Sequence, residues 1–265
     1  MKKMSMVCMT VVCLATPGFS SRVSTPIDGY LATPEHEIEK IQRELKDPKK
    51  MRECMIHLFS SCWHNLIGLE EATEFKRKFD VSDKDMEVAL LDVVREWSPK
   101  GWPVWQGPDA PMDVRMGYIY LTGAIKLLAF CADAKGKKLL MGIFTDTAKD
   151  GEYRLLAIDS YMQRIAVRDA WETFASFITD DVLAIVDRYR LYHLAMRTYD
   201  RAKSDTQTRT AIIATMSAIL AKETNELYLV ETDKRFAERS TEYAESPQRK
   251  ATLERMGKPP EKETK

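Results

Sequence analysis

Three of the five tryptophans in this 265-residue chain lie within nine positions, so this segment is the first candidate for a binding site. They are Trp97, Trp102 and Trp105, and residues 98–113 around them include four prolines and two glycines. Proline and glycine at this density predict a non-helical loop. Indole rings on a stiff loop can stack on sugars or grip a peptide at low cost in side-chain entropy. The alternative is that the rings fold inward and plug a seam between two helical halves, as large aromatic side chains usually do.

The histidines and cysteines do not have the spacing of a metal site. Cys54-x-x-His57 and Cys62-x-His64 offer zinc ligands, but His57 and His64 are seven positions apart. On one helix this separation is about 10 Å, too far for both side chains to bind one zinc ion directly. Cys54 and Cys62 would lie about 12 Å apart on the same helix, beyond disulfide reach. We therefore expect no metal and no disulfide here.

Sequence signatures of common enzymes are missing from the chain. We find no Gly-x-Ser-x-Gly serine elbow, no His-Glu-x-x-His zinc helix, no phosphate-binding loop and no dinucleotide-binding turn. The acid pairs Glu70-Glu71 and Asp180-Asp181 each begin a predicted helix, where the helix dipole favours negative charge. His193 lies on the apolar stripe of a predicted helix, which favours a core histidine bonded to a carbonyl. We expect no catalytic residue and no cofactor.

Charge and composition exclude two further classes of protein. The chain has 40 Lys and Arg residues against 40 Asp and Glu residues, so its formal net charge is zero. Binding to nucleic acid by bulk charge needs a basic excess and is excluded. Hydrophobic residues make up 45% of the chain, far more than in disordered proteins.

The first twenty residues have the layout of a secretory signal peptide. Lys2 and Lys3 precede an apolar run over 4–15, and small residues then allow cleavage after Ser20. A membrane span needs roughly 20 apolar residues, so this run is too short, and no later stretch approaches that length. The alternative is a buried N-terminal helix. We predict a signal peptide over 1–20 and a chain exported to the periplasm or secreted, with no transmembrane segment.

The rest of the chain repeats the signals of amphipathic helices. Thr33-Pro34 reads as an N-cap followed by a first-turn proline, Asp47-Pro48 repeats this device, and Ser82 caps a third helix. Apolar residues then recur at helical spacing, and no long run alternates as a strand does. The predicted class is all-α. Later helices are predicted over 114–131, 136–148, 152–166, 168–178, 180–201, 206–222 and 226–243.

These helices predict one domain with flexible ends. The all-helical domain covers 34–243 and includes the tryptophan loop at 98–113. It follows a flexible N-terminal segment over 21–33. The polar residues 244–265, which include Gly257-Lys-Pro-Pro-Glu, predict a charged and disordered tail; the alternative is a poorly anchored final helix.

A weak internal similarity links two of the helices. Asp150-Gly-Glu-Tyr-Arg154 begins one helix and Asp205-Thr-Gln-Thr-Arg209 begins another, at an offset of 55 residues. Looser copies lie at 47–52 and 112–115. An acidic cap, an early arginine and a following apolar stripe resemble the second helix of HEAT-type repeats, over about residues 47–222. The resemblance implies irregular helix pairs stacked as an α-α superhelix; the alternative is a non-repeating helical bundle.

Stacked helix pairs make extended surfaces that hold other proteins. We therefore expect an exported, non-catalytic scaffold or protein-binding module whose partner is another protein. The alternative is an extracytoplasmic helical enzyme or binding protein that acts on polysaccharide or cell-wall material through the tryptophan loop.

Overall fold

A computed structural model describes residues 25–63, 67–146, 148–165, 167–178 and 185–257. Across these ranges the chain forms fourteen α-helices and one 3₁₀ helix, with no strand, which confirms the predicted all-α class. The signal peptide predicted over 1–20 lies outside the described residues. In chain order the helices are α1 (Pro26–Leu31), α2 (Glu35–Leu45), α3 (Pro48–Trp63), α4 (Leu69–Phe79), α5 (Asp83–Trp97), α6 (Met112–Leu128), α7 (Ala134–Thr145), α8 (Gly151–Arg164), α9 (Val167–Ile178), α10 (Ile185–Arg201), α11 (Thr206–Lys222), α12 (Glu226–Arg239), α13 (Thr241–Ala244) and α14 (Pro247–Arg255).

Short polar side chains fix where several helices begin. The Ser82 hydroxyl accepts from the backbone N–H of Asp85 at 3.1 Å, which starts α5. Asp150 and Asp205 cap α8 and α11 in the same way, at 2.8 and 2.9 Å from their backbone donors. Each cap satisfies an N–H that has no partner inside its own helix. These three caps were predicted from the sequence and are confirmed.

The helices pack mainly on neighbours in the chain. The principal packing partners lie no more than three helices apart, from α1 on α4 at one end to α11 on α14 at the other. In the first half α3, α5 and α6 pack on one another, and α6 continues the contact to α8. In the second half α10 packs on α8, α9, α11 and α12. This order of contacts builds the core progressively along the chain.

Helix α6 is the most completely buried helix near the tryptophan loop. Its residues Leu121, Ile125 and Leu128 have no solvent exposure. Full burial of each such side chain stabilises the fold by about 1.5–3 kcal/mol. Gly123 lets α3 approach closely, because a Cβ at this position would lie 2.4 Å from Cγ of Phe59.

A buried carboxylate joins α5 to α7. Glu87 is 6% exposed, and its Oε1 accepts from the backbone N–H groups of Asp133 and Gly136, each at 2.7 Å. The side chain therefore caps α7 from another helix. This satisfies donors at the positive end of the helix dipole.

Both ends of the described chain are more ordered than the sequence predicted. The segment 21–33, expected to be flexible, contains α1, where Thr25 and Asp28 form a capping box and Ile27 is buried. The expected tail 244–265 contains α14, and its Leu253 is 7% exposed. The described parts of both segments are thus helical over Pro26–Leu31 and Pro247–Arg255, because local caps and a few buried contacts suffice to order short polar helices.

None of the described helices combines the length and the hydropathy needed to cross a bilayer.

Candidate functional site

The tryptophan loop connects α5 to α6 and lies across the first turns of α6 and α8. It begins with a 3₁₀ turn over Ser98–Lys100, and α6 begins at Met112. The sequence predicted no helix over 98–113, and this is wrong at both edges. Backbone N–H groups at the start of a helix have no acceptor inside the helix, so proline, which has no N–H, is tolerated at that point. Pro99 lies in the first turn of the 3₁₀ helix, and Pro111 lies directly before α6. Gly101 and Gly107 have φ values of +108° and +100°, which side-chain-bearing residues rarely adopt.

Trp97, the first of the three tryptophans, lies at the end of α5 and is partly buried. Its ring meets that of Tyr120 edge-on, with centroids 4.8 Å apart. The Lys100 ammonium lies 3.7 Å from the centre of the indole, in a cation–π contact. The indole Nε1 is buried and has no hydrogen-bond partner among the described residues. This ring therefore packs into the protein.

Trp102 also packs inward and anchors the loop. Its ring meets Tyr153 edge-on at 5.0 Å, and the Tyr153 hydroxyl donates to the carbonyl of Pro103 at 2.8 Å. Burial raises the pKa of Tyr153, so this hydroxyl remains a donor. Gly117 of α6 lies below the loop, where a Cβ would come 3.0 Å from Cγ of Pro103. The absence of a side chain at Gly117 permits this close approach.

Trp105 differs from the other two because it faces outward. It is 38% exposed, and one side of its ring rests on Tyr118 with centroids 5.6 Å apart. The Tyr118 hydroxyl in turn donates to the carboxylate of Glu152. Val104, the preceding residue, and Met112, the first residue of α6, are 43% and 64% exposed. Tyr118 therefore supports one side of the indole, and part of the ring is exposed.

Val104, Trp105 and Met112 are the exposed apolar side chains of the loop and of the first residue of α6, and together we call them the loop patch. Three of the six most exposed large hydrophobic side chains in the described ranges belong to it. Isolated exposed apolar residues are ordinary on protein surfaces, but grouped ones mark interaction sites. The structure thus places two predicted tryptophans inward and the third at the surface.

Arg115 fastens the far end of the loop. Its Nη1 donates to the carbonyl of Pro108 at 2.7 Å, and its Nη2 lies 3.6 Å from Sδ of Met112. Nε of Arg115 is buried without a hydrogen-bond partner, and Arg115 forms no salt bridge with any described residue. From the sequence, Met112-Asp-Val-Arg115 was predicted only as a copy of a repeat. The roles of Arg115, Gly117, Tyr118 and Tyr153 as supports of the loop were not predicted.

The other candidate residues have structural partners. Glu70 and Glu71 lie in the first turn of α4, as the sequence predicted, and Glu71 accepts from the backbone N–H of Gly68 at 2.9 Å. His57 packs edge-on against Tyr30 at 5.9 Å between ring centroids. Burial raises the pKa of Cys54, which keeps the thiol protonated. The structure does not describe the side chains of Cys62, His64, Asp180 and Asp181. Among the described residues no group of three or more acids, histidines and cysteines is arranged to hold a metal ion.

Comparisons with protein-family models, with curated proteins and with solved structures find no match to this chain.

Proposed function

We propose that the protein is an exported, non-catalytic scaffold that binds a protein partner through the loop patch. The observation that carries the proposal is the exposure of Trp105, Val104 and Met112 on and beside an anchored loop. Aromatic residues and methionine are enriched in protein interfaces. A loop already held in place loses little freedom on binding, so its contact area converts efficiently into affinity.

Irregular HEAT-like helix pairs are the proposed architecture. Arg154 of α8 donates to the carbonyl of Phe144 near the end of α7, at 2.9 Å. Arg209 of α11 donates in the same way to the hydroxyl of Tyr199 near the end of α10. The two arginines are 55 positions apart in the sequence. Each donates to a residue of the helix that precedes its own, α7 for Arg154 and α10 for Arg209. This equivalence and the packing between chain neighbours support stacked units.

The roles of the buried acids Glu87 and Glu223 and of the partly exposed Asp83 support a protein without catalysis of its own. Glu87 caps α7. Glu223 accepts from the Tyr192 hydroxyl at 2.7 Å, and Asp83 pairs with Lys76 at 2.8 Å and with Arg164. A general acid or base needs a proton that it can exchange with a substrate. These carboxylates are instead committed to holding helices together.

The exposed indole also favours a second candidate, a surface that binds polysaccharide or cell-wall material. Sugar hydroxyls need hydrogen-bonding side chains around the aromatic platform. The loop and the first turn of α6 also carry Gln106, Asp109, Asp113 and Arg115. The exposed side chains of Val104 and Met112 are nevertheless apolar, and the nearby Glu152 already accepts from Tyr118. The loop patch therefore suits a protein better than a sugar.

Site-specific photo-cross-linking tests the binding function. A photoreactive amino acid replaces Met112 of the loop patch, and in a matched control it replaces Leu227, which is 76% exposed on α12. After irradiation in the native extract, we expect a defined protein adduct at position 112 and none at 227. Equal labelling at the two positions, or no protein adduct at 112, would contradict the proposal. Adducts with glycan alone would favour the second candidate.

Export has its own test. The full chain is expressed in a bacterial host, and the intact mass and N-terminal sequence of the product are measured in each cell fraction. Because the proposed cleavage follows Ser20, we expect a product that begins at Ser21 outside the cytoplasm. A full-length product confined to the cytoplasm would contradict export.

A further inference from the structure

We propose that the loop patch binds a peptide segment in which a carboxylate lies next to a large apolar side chain, with Arg115 as the residue that binds the carboxylate. The inference rests on the proposed function and names the chemistry of its partner.

The first step is the hydrogen-bonding state of Arg115. A guanidinium has five N–H donors in a planar fork that matches a carboxylate. In the structure its protein acceptors are one carbonyl, that of Pro108, and the sulfur of Met112. Sulfur is a weak acceptor. The buried Nε has none, so the group keeps unused donors and an unneutralised charge.

The second step is the position of this charge beside the loop patch. Met112 contacts Arg115 through its sulfur and is itself 64% exposed. An incoming carboxylate can replace that sulfur at Nη2, while an adjacent apolar side chain covers Met112 and the Trp105 ring. The exchange substitutes a charge-assisted hydrogen bond for a weak one, and it buries apolar area in the same event.

The third step concerns the other charges near the patch. Asp109 and Asp113 are exposed, and neither forms a salt bridge with Arg115. Asp113 precedes Arg115 by two positions on α6, so their side chains do not face each other. Lys100 near the start of the loop is paired with Glu96 at 3.6 Å and stacks on Trp97, so it supplies no free charge. The guanidinium of Arg115, which no described acid pairs, is the positive charge that an incoming carboxylate would complement.

A peptide array gives the test. The probe is the labelled chain without residues 1–20, applied to peptides that display every pair of amino acids within one Gly-Ser frame. We expect retention to concentrate on pairs that join Asp or Glu to a large apolar residue. Exchanging Asp or Glu in those peptides for Asn or Gln should weaken binding about ten-fold or more, the effect of one lost charge-assisted bond.

Variants of the protein make the test specific. Arg115→Gln should lose the preference for acidic peptides, whereas Arg95→Gln removes an equal charge from an exposed residue of α5 and should keep it. Arg115→Lys should be intermediate, because lysine keeps the charge without the fork. Thermal unfolding of each variant confirms that it is folded. If Arg115→Gln is not folded, Arg115→Lys takes its place in the comparison with Arg95→Gln.

The outcomes separate this inference from the function on which it rests. Equal binding of acidic and amide peptides, or equal behaviour of Arg115→Gln and Arg95→Gln, would overturn the role of Arg115. If the role of Arg115 is overturned in this way but position 112 still cross-links to a protein, the proposed binding function remains supported. No retention by any peptide would overturn the peptide specificity, and failure of the Met112 cross-link as well would overturn the function.

Discussion

Glu87 shows how one residue can connect elements that are distant in the chain. It caps α7 from within α5, 46 positions before the first donor that it binds. We predict that Glu87→Ala lowers the free energy of unfolding by about 1–3 kcal/mol, because two backbone donors lose their acceptor. Urea denaturation measures this. Glu53→Ala, at an exposed acid of α3, should change stability by less than about 0.5 kcal/mol. Equal effects of the two substitutions would contradict the capping role.

His193 gives the residue-scale prediction for pH. Burial, and then Arg235, Arg239 and Arg197, lower its pKa below the ordinary value of 6.5, against a weaker opposing effect of Glu231. The unfolded chain therefore binds a proton at a higher pH than the folded chain does. Stability falls as pH drops through about 6.5, until the folded pKa is reached.

Unfolding free energies of the wild type and His193→Gln, measured at about pH 7.5 and about pH 5.5, check the prediction. The wild type should lose more stability than the variant between the two values, because the other titrating groups are common to both proteins. Identical losses would show that His193 has an ordinary pKa.

Local residue roles were predictable where the partner is close in sequence. Ser82, Asp150 and Asp205 were identified as caps because their donors lie two or three positions ahead. Thr33 was predicted as a cap, but its hydroxyl donates to Gly29 at 3.4 Å and Pro34 takes the cap position. Glu87 could not be assigned, because its role depends on a contact between helices.

Close packing between α3 and α6 leads to a prediction at the scale of elements. In Gly123→Ala the added methyl group would clash with the Phe59 ring, at 2.4 Å from its Cγ. We expect this overpacking to lower the free energy of unfolding by about 1–3 kcal/mol. Gly142→Ala on α7 is the matched control, since nothing lies within 4 Å of its added Cβ. That change should stabilise the helix by roughly 0.5–1 kcal/mol. Thermal denaturation of both variants tests the difference in sign.

Helices with strong caps and apolar stripes were predicted, whereas α1 was missed and α14 was only an alternative to a disordered tail. Thr25-Pro26-Ile27-Asp28 contains a capping box that the sequence displays, yet the segment was assigned as flexible. Ser246-Pro247 gives a comparable signal before α14. Two of the three buried residues of α14 are Arg249 and Thr252, so its polar composition resembled that of a tail. Composition alone does not reveal such a helix when a neighbouring helix buries its polar side chains.

At the scale of the whole molecule, the order of packing along the chain follows from the run of amphipathic helices. Residues 55 positions apart on α8 and α11 match at the caps and at the arginines. They do not match along the whole apolar stripe of the two helices. Ala157 and Ile212 are both buried, whereas Tyr161 is partly exposed where Met216 is buried. The HEAT-like repeat thus stays a prediction.

The position of the tryptophan loop was predictable, but the division of its rings was not. Proline and glycine content located the loop, because those residues act locally. Which indole faces outward depends on Tyr153, Gly117 and Tyr118, which lie on α6 and α8. These supports come together only in the folded chain. Trp97 and Trp102 pack on Tyr120 and Tyr153 and Trp105 is exposed, while the plug and the ligand-facing surface, which the sequence left as alternatives, both stay predictions.

Acrylamide quenching of tryptophan fluorescence tests the central claim that Trp105 faces outward while Trp102 is packed. The wild type is compared with Trp105→Phe and Trp102→Phe, each checked for folding by circular dichroism. The account predicts that the quenchable share of the emission falls in Trp105→Phe and does not fall in Trp102→Phe. A quenchable share that is unchanged in Trp105→Phe, or that falls equally in both variants, would contradict it.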